Sequence, residues 1–148
     1  MAFVDSNLIF SDEQAVTSSA ISHVVDLGAS PTVRSLSLQN AYLVVDCTET
    51  ASDGGVETFT VTVSLESDSV AALSSSPTAH WVSETHGVSE GAMVAGGNVA
   101  IVPLPVKASY ERYLGVRYTV ANGPLTVGKF TAYITHDPSI RTLYPDAI

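Results

Sequence analysis

A two-residue alternation of apolar and hydroxyl-bearing side chains limits the folds open to this chain. It is clearest in VETFTVTVSLESD, from Val56 to Asp68. Successive side chains of a β-strand point to opposite faces, so this pattern predicts a half-buried strand with a hydroxyl-lined outer surface. Threonine, which is β-branched, suits such a surface. The apolar set of this strand comprises Phe59, Val61, Val63 and Leu65.

Similar segments recur along the chain, separated by turns rich in glycine and proline, and helical periodicity is nearly absent. The further predicted strands are Ile21–Leu27, Leu36–Cys47, Ala92–Leu104, Tyr113–Val120 and Val127–Thr135. The turn signal SDGG precedes the Val56 segment. We therefore expect Leu36–Cys47 and Val56–Leu65 to pair as a hairpin across the acidic loop Thr48–Gly55.

About eight strands with such turns predict an all-β fold, a jelly-roll-like antiparallel β-sandwich. An immunoglobulin-like domain is disfavoured because its Cys…Trp…Cys spacing requires two cysteines and the chain has one. A chain of 148 residues suits a single domain. We divide it into an extended N-terminal arm (residues 1–20), the sandwich (residues 21–137) and a C-terminal tail (residues 138–148).

The charge balance restricts the partners. Fifteen acidic residues against six basic ones give a net charge of −9. Binding to nucleic acid or to anionic lipid needs a surplus of lysine and arginine, so neither partner is expected. The chain also lacks a signal-peptide pattern and a run of eighteen apolar residues, which leads us to expect a soluble protein made in the cytoplasm.

The sequence offers little for catalysis or metal binding. HWVSETH, His80 to His86, contains two imidazoles and a carboxylate, but on a strand the two histidines lie too far apart to share one zinc ion without a sharp bend. We interpret this segment as a polar loop around Trp81. The chain has no G-x-S-x-G nucleophile elbow and no phosphate-binding loop. We expect no enzyme activity, no cofactor and no metal.

Association is the remaining function class. YERYLGVRY, Tyr110 to Tyr118, gathers tyrosine and arginine, the residue types enriched at interface hot spots. Apolar residues near the N-terminus are a second candidate, and burying five of them contributes about 7–15 kcal/mol before association costs. The candidate interface residues are Phe3, Val4, Leu8, Ile9, Phe10, Tyr110, Arg112, Tyr113, Arg117, Leu143 and Tyr144.

Three segments carry a resemblance to a known family. They are LIFSDEQAVT (Leu8–Thr17), VVDLG (Val24–Gly28) and RYLGVRYTV (Arg112–Val120). Their order and spacing resemble those of the capsid cement (decoration) proteins of tailed bacteriophages. The acidic loop Thr48–Gly55 has no counterpart that we can match to that family.

The resemblance implies a jelly-roll-like sandwich on the outer surface of the phage head, made in the host cytoplasm. It implies binding to the major capsid protein and association as a homodimer, which we prefer, or a homotrimer. The N-terminal arm is then expected to be a strap that orders against a partner; folding back on its own sandwich is the other arrangement open to it. Another virion β-module (receptor-binding, carbohydrate-binding, or a head or tail accessory protein) and a small sandwich enzyme are the alternatives.

Overall fold

The structure is a computed structural model that describes residues 8–30, 40–55, 58–105 and 109–138. These residues form two antiparallel sheets, one of four strands and one of six. A short 3-10 turn, Gly91–Met93, lies among them, and no helix of the described residues is long and apolar enough to cross a membrane. The strands are β1 (Ile9–Ala15), β2 (Ala20–Ile21), β3 (Val25–Asp26), β4 (Tyr42–Ser52), β5 (Thr60–Asp68), β6 (Thr78–Val82), β7 (His86–Gly87), β8 (Asn98–Pro103), β9 (Tyr113–Ala121) and β10 (Val127–Thr135).

The strand order is that of a jelly roll. The four-stranded sheet runs β1-β10-β4-β8, and the six-stranded sheet runs β2-β9-β5-β6, with β3 also on β9 and β7 also on β5. If β2 and β3 count as one interrupted strand, and β6 and β7 as another, eight strands remain in the orders 1-8-3-6 and 2-7-4-5. This is the jelly-roll arrangement, so the predicted fold class is confirmed.

The predicted hairpin is wrong, because β4 and β5 lie in opposite sheets. β4 pairs with β10 and β8, whereas β5 pairs with β9, β6 and β7. β4 also continues to Ser52, so most of the expected acidic loop is strand; within it, Glu49 forms an ion pair of 3.2 Å with Lys129 on β10. A glycine turn signals a change of chain direction but does not specify the sheet that the next strand joins.

The core lies between the two sheets and uses the apolar rows that the alternation predicts. On β5, Val61, Val63 and Leu65 are fully buried. From the facing sheet, the ring of Phe130 lies 5.3 Å from that of Tyr118 on β9. Cys47 is also fully buried, its thiol donates to the carbonyl oxygen of Glu49 at 3.1 Å, and burial raises the pKa of that thiol.

The N-terminal arm needs correction, because much of it belongs to the sandwich. Residues 9–15 form the edge strand β1 on β10, with Ile9 opposite Tyr133. Phe10 and Val16 are completely buried in the common core. The apolar side chains of the N-terminal arm are too few to form a core by themselves, so they pack into the core between the two sheets. Residues 1–7 lie outside the described residues, as does the tail beyond Pro138.

Glycine determines the turn that leads into β8. The amide of Gly97 donates to the carbonyl of Val94 at 2.7 Å. A Cβ atom at position 97 would lie 2.0 Å from the carbonyl oxygen of Gly91 and 2.8 Å from that of Val94. No side chain fits between these backbone atoms. The turn expected within Ala92–Leu104 is therefore confirmed, and the strand proper begins only at Asn98.

Candidate interaction surfaces

Tyr110, a predicted interface residue, is buried within the chain. Only 5% of its surface is exposed, and its hydroxyl donates to the carbonyl oxygen of Pro105 at 3.0 Å. Its ring centre lies 4.5 Å from that of His80. Burial raises the pKa of Tyr110 to about 12. These contacts give Tyr110 a structural role beneath β6 and exclude it from the accessible surface.

Arg112 lies on the surface and is already paired. Its Nε and Nη2 donate to the two carboxylate oxygens of Asp26 at 2.9 and 2.8 Å. Its guanidinium carbon lies 5.1 Å from the centre of the Tyr113 ring. Both partners of the ion pair are almost half exposed, so solvent screens the pair and its contribution to stability is small. The pair links β3 to the start of β9, and its outer side remains accessible.

Arg117 connects a loop to the outer face of the six-stranded sheet. Its Nε donates to Oε2 of Glu66 at 2.8 Å, and its Nη2 donates to the carbonyl oxygen of Leu73 at 2.8 Å. Leu73, which is 1% exposed, lies over Gly115, where an added Cβ would be 2.8 Å from Leu73 Cδ1. The loop of residues 69–77 thus folds back over this face, and Arg117 serves that packing.

The same loop begins at a buried carboxylate. Asp68 accepts hydrogen bonds from the Ser75 amide at 2.7 Å, the Val70 amide at 3.3 Å and the Ser69 hydroxyl at 3.2 Å. Burial of Asp68 opposes its ionisation, but these hydrogen bonds outweigh burial and lower the pKa of the carboxyl below its usual value. Asp68 therefore stabilises the loop in its ionised form.

The N-terminal candidates divide into buried, partly buried and undescribed residues. Phe10 is fully buried in the chain's own core, so the folded sandwich does not present it to a partner. Leu8 and Ile9 are partly buried. Next to Phe10, the hydroxyls of Ser11 and Tyr118 share a buried hydrogen bond of 2.6 Å. Phe3, Val4, Leu143 and Tyr144 lie outside the described residues.

The histidines of HWVSETH have separate partners. His80 Nε2 and the Ser67 hydroxyl share a hydrogen bond of 2.6 Å, and burial lowers the pKa of His80. His86 Nδ1 lies 2.9 Å from Oε2 of Glu90. Across the ranges that the structure describes, no three histidine, cysteine, aspartate or glutamate side chains are grouped to hold a metal ion. The segment supplies β6 and β7 in place of the loop that we expected.

One surface feature was missed by sequence reasoning, a groove of about 350 Å³ between β6 and β8. Val82 and Ile101, which are 53% and 46% exposed, lie along it. His86 also lines the groove, and its Nε2 is buried without a hydrogen-bond partner among the described residues. We call this feature the β6–β8 groove. Its remaining lining residues are Trp81, Ser83, Glu84, Asn98, Val99, Ala100 and Val102.

The positive charges of the described surface are all paired. Arg112 pairs with Asp26, Arg117 with Glu66 and Lys129 with Glu49. These are the lysine and arginine residues of the described ranges. Acidic side chains outnumber these cations within the same ranges, so the surface that they form is electronegative.

Comparison with known proteins identifies the family. A search of curated proteins gives no match. Residues 10–134 match the Bbp16 family. The matched range begins at the second residue of β1 and ends one residue before the end of β10, so it spans the whole sandwich. The chain therefore belongs to the Bbp16 family.

Proposed function

We propose that this protein is a capsid decoration (cement) protein, which binds the outer surface of a tailed-phage head and stabilises the lattice of the major capsid protein. The supporting observation is that the three segments resembling cement proteins meet in space. β1 and β9, from the first and third segments, are joined by the Ser11–Tyr118 hydrogen bond. β3, from the second segment, pairs with β9, with Val25 opposite Leu114.

The contact between the three segments supports the resemblance, because segments that matched by chance would not be expected to lie together in the structure. Ser11 and Tyr118 are 107 residues apart in the sequence. The amide of His23 donates to the carbonyl of Phe10 at 2.8 Å, which connects the first segment to the approach of β3. The resemblance thus concerns one corner of a jelly roll, and it supports shared ancestry of the fold, from which the function is carried over by analogy.

The proposed mechanism is adhesion without chemistry. Each copy adds a modest interface to the shell, and a closed symmetric lattice repeats that interface many times. A rigid sandwich suits this role, because little conformational freedom is lost when it binds. The net charge of −9 is compatible with the outer surface of a head whose interior holds DNA.

The proposed partners are the major capsid protein and a second copy of the chain, with the homodimer preferred over the homotrimer. Because β1 belongs to the sandwich, fewer residues of the N-terminal arm remain that could act as a strap against a partner. Residues 9–16 are needed by the sandwich itself, so they are not a detachable strap. The contribution of Phe3, Val4, Leu143 and Tyr144 to an interface stays a prediction.

The test compares heads purified from phage with and without the gene for this protein. Cryo-microscopy of wild-type heads should reveal outer density that fits a 4+6-stranded sandwich and is absent from deletion heads. Adding purified protein should restore this density and raise the temperature at which heads release DNA. Density on the tail instead, or heads that never bind the protein, would contradict the proposal and favour another virion module.

A further inference from the structure

We propose that the β6–β8 groove binds an extended segment of the capsid subunit that carries apolar side chains and a lysine or arginine. This inference rests on the proposed function and adds the binding site and the chemistry of the segment. The groove lies where the two sheets present their edges side by side. It combines exposed apolar side chains, strand edges that no described strand covers, and the polar side chains of Glu84 and His86.

The strand edges favour an extended occupant. β8 ends the four-stranded sheet and has a neighbour only on its β4 side, while β6 ends the six-stranded sheet next to β5. Within the described ranges no strand covers the other side of either. Edge strands present unpaired N–H and C=O groups, and an added extended peptide satisfies them. Such a peptide places alternate side chains into the groove.

The apolar contacts lie along the same edges. Val82 on β6 and Ile101 on β8 are two of the five large hydrophobic residues that are clearly exposed in the described part of the chain. Trp81, Val99 and Val102, which are partly buried, line the groove beside them. An occupant with apolar side chains would remove this surface from water, which is favourable.

His86 adds to the groove lining a polar atom that lacks a hydrogen-bond partner among the described residues. Glu90 is held ionised by hydrogen bonds from the Gly87 backbone and from His86, which lower its pKa. A carboxylate only accepts hydrogen bonds, so the His86 ring donates to Glu90 from Nδ1 and has Nε2 as its second polar atom. This buried Nε2 has no partner among the described residues. A polar group from the occupant would satisfy it.

Charge selects the class of partner. Glu84 is an exposed carboxylate on the groove, and the lysine and arginine residues of the described ranges are already in ion pairs. The Glu84 carboxylate accepts hydrogen bonds, so the occupant supplies a donor and a positive charge. A second copy of this chain, with its net charge of −9, is the less favourable occupant, because like charges repel.

The experiment uses deletion heads and full-length protein, with binding measured by co-sedimentation over a series of salt concentrations. Two groove variants, Ile101→Lys and Glu84→Gln, are each matched with a control outside the groove, Val127→Lys and Glu13→Gln. Val127 is 43% exposed, close to the 46% of Ile101, and Glu13 is an exposed acid. Circular dichroism and melting curves verify that all four variants fold.

We expect Ile101→Lys to weaken binding about tenfold or more, because it brings a cation into a site that binds one. Glu84→Gln should weaken binding about threefold to tenfold and reduce its dependence on salt, because an ion pair is lost. Both controls should bind like the wild type. If wild-type protein binds heads and the groove variants bind equally well, this inference is wrong and the proposed function stands.

Two further outcomes are decisive. If wild-type protein does not bind deletion heads at all, the proposed function is wrong, and the capsid subunit is excluded as the occupant. If Ile101→Lys abolishes self-association in sedimentation velocity while the protein still binds heads, the groove receives a second copy. That result would overturn the inference in favour of a homo-oligomer interface.

Discussion

Replacing Phe10 with alanine tests whether β1 is part of the sandwich or a strap that is held only by a partner. Phe10 is 0% exposed and belongs to the core cluster, whereas its neighbour Ile9 is only partly buried and does not belong to that cluster. If β1 is part of the sandwich, the loss falls on folding stability. If β1 were a strap held only by a partner, the loss would fall on binding alone.

The magnitude follows from burial. Truncating a fully buried phenylalanine costs about 3–5 kcal/mol, which combines lost transfer free energy and the cavity left behind. A domain of this size has a total stability of about 5–15 kcal/mol, so Phe10→Ala removes a large part of it. The corresponding drop in melting temperature is about 6–20 °C. Ile9→Ala, at a partly buried edge position, should cost about 1–2 kcal/mol.

The assay is urea unfolding of the purified variants, followed by tryptophan fluorescence and circular dichroism. Equal slopes with a lower midpoint for Phe10→Ala would locate the effect in native-state stability. Removing residues 2–16 should for the same reason prevent folding. A Phe10→Ala protein within about 1 kcal/mol of the wild type would refute the assignment of β1 to the core, as would a well-folded truncation.

Three further predictions follow from individual side chains. Arg117→Ala should lower the free energy of unfolding by about 1–3 kcal/mol, because it leaves the nearly buried Glu66 carboxylate without its cation. Arg112→Ala, at the exposed ion pair, should lower it by less than about 1 kcal/mol. Equal losses of stability in thermal melts of the two variants would contradict this reasoning. Gly97→Ala should distort the turn before β8, because the new Cβ would overlap backbone oxygens, and amide hydrogen exchange should then be faster in β8; unchanged exchange would count against it. The pKa of Asp68 in the folded protein lies below its unfolded value of about 3.8, so its stabilisation is present above that pH and is lost as the pH falls through the folded pKa. Asp68→Asn should therefore reduce the loss of unfolding free energy as the pH is lowered. An unchanged loss at acidic pH would show that Asp68 does not cause it.

The sequence predicts the strands well where the evidence is local. The alternation through Val61, Val63 and Leu65 specifies an inward and an outward face, since side-chain direction along a strand depends only on neighbouring residues. The bounds of β10 agree with the prediction for the same reason. Pairing is not local: β4 and β5 follow one another in the chain but join different sheets. The role of Phe10 depends on β10, which lies more than 110 residues away.

The candidate surfaces were harder to predict than the fold. Tyr110 and Arg117 were predicted as interface residues from their residue types. Their side chains instead donate hydrogen bonds to the carbonyl oxygens of Pro105 and Leu73 within the chain. The β6–β8 groove arises where two strands from different sheets meet, so no single segment encodes it. The one local sign is Ile101, an apolar side chain on the solvent face of β8 beside the inward Ala100.

The burial of Cys47 has a practical consequence. The protein has a single thiol, and that thiol is inaccessible in the closed sandwich. A thiol reagent can therefore modify the protein only during a transient opening, and the rate of modification reports how often the structure around Cys47 opens. Any partner that binds only the closed form lowers the rate in proportion to the fraction of molecules that remain unbound. The rate of Cys47 modification therefore measures how strongly a bound partner holds the sandwich in its closed form.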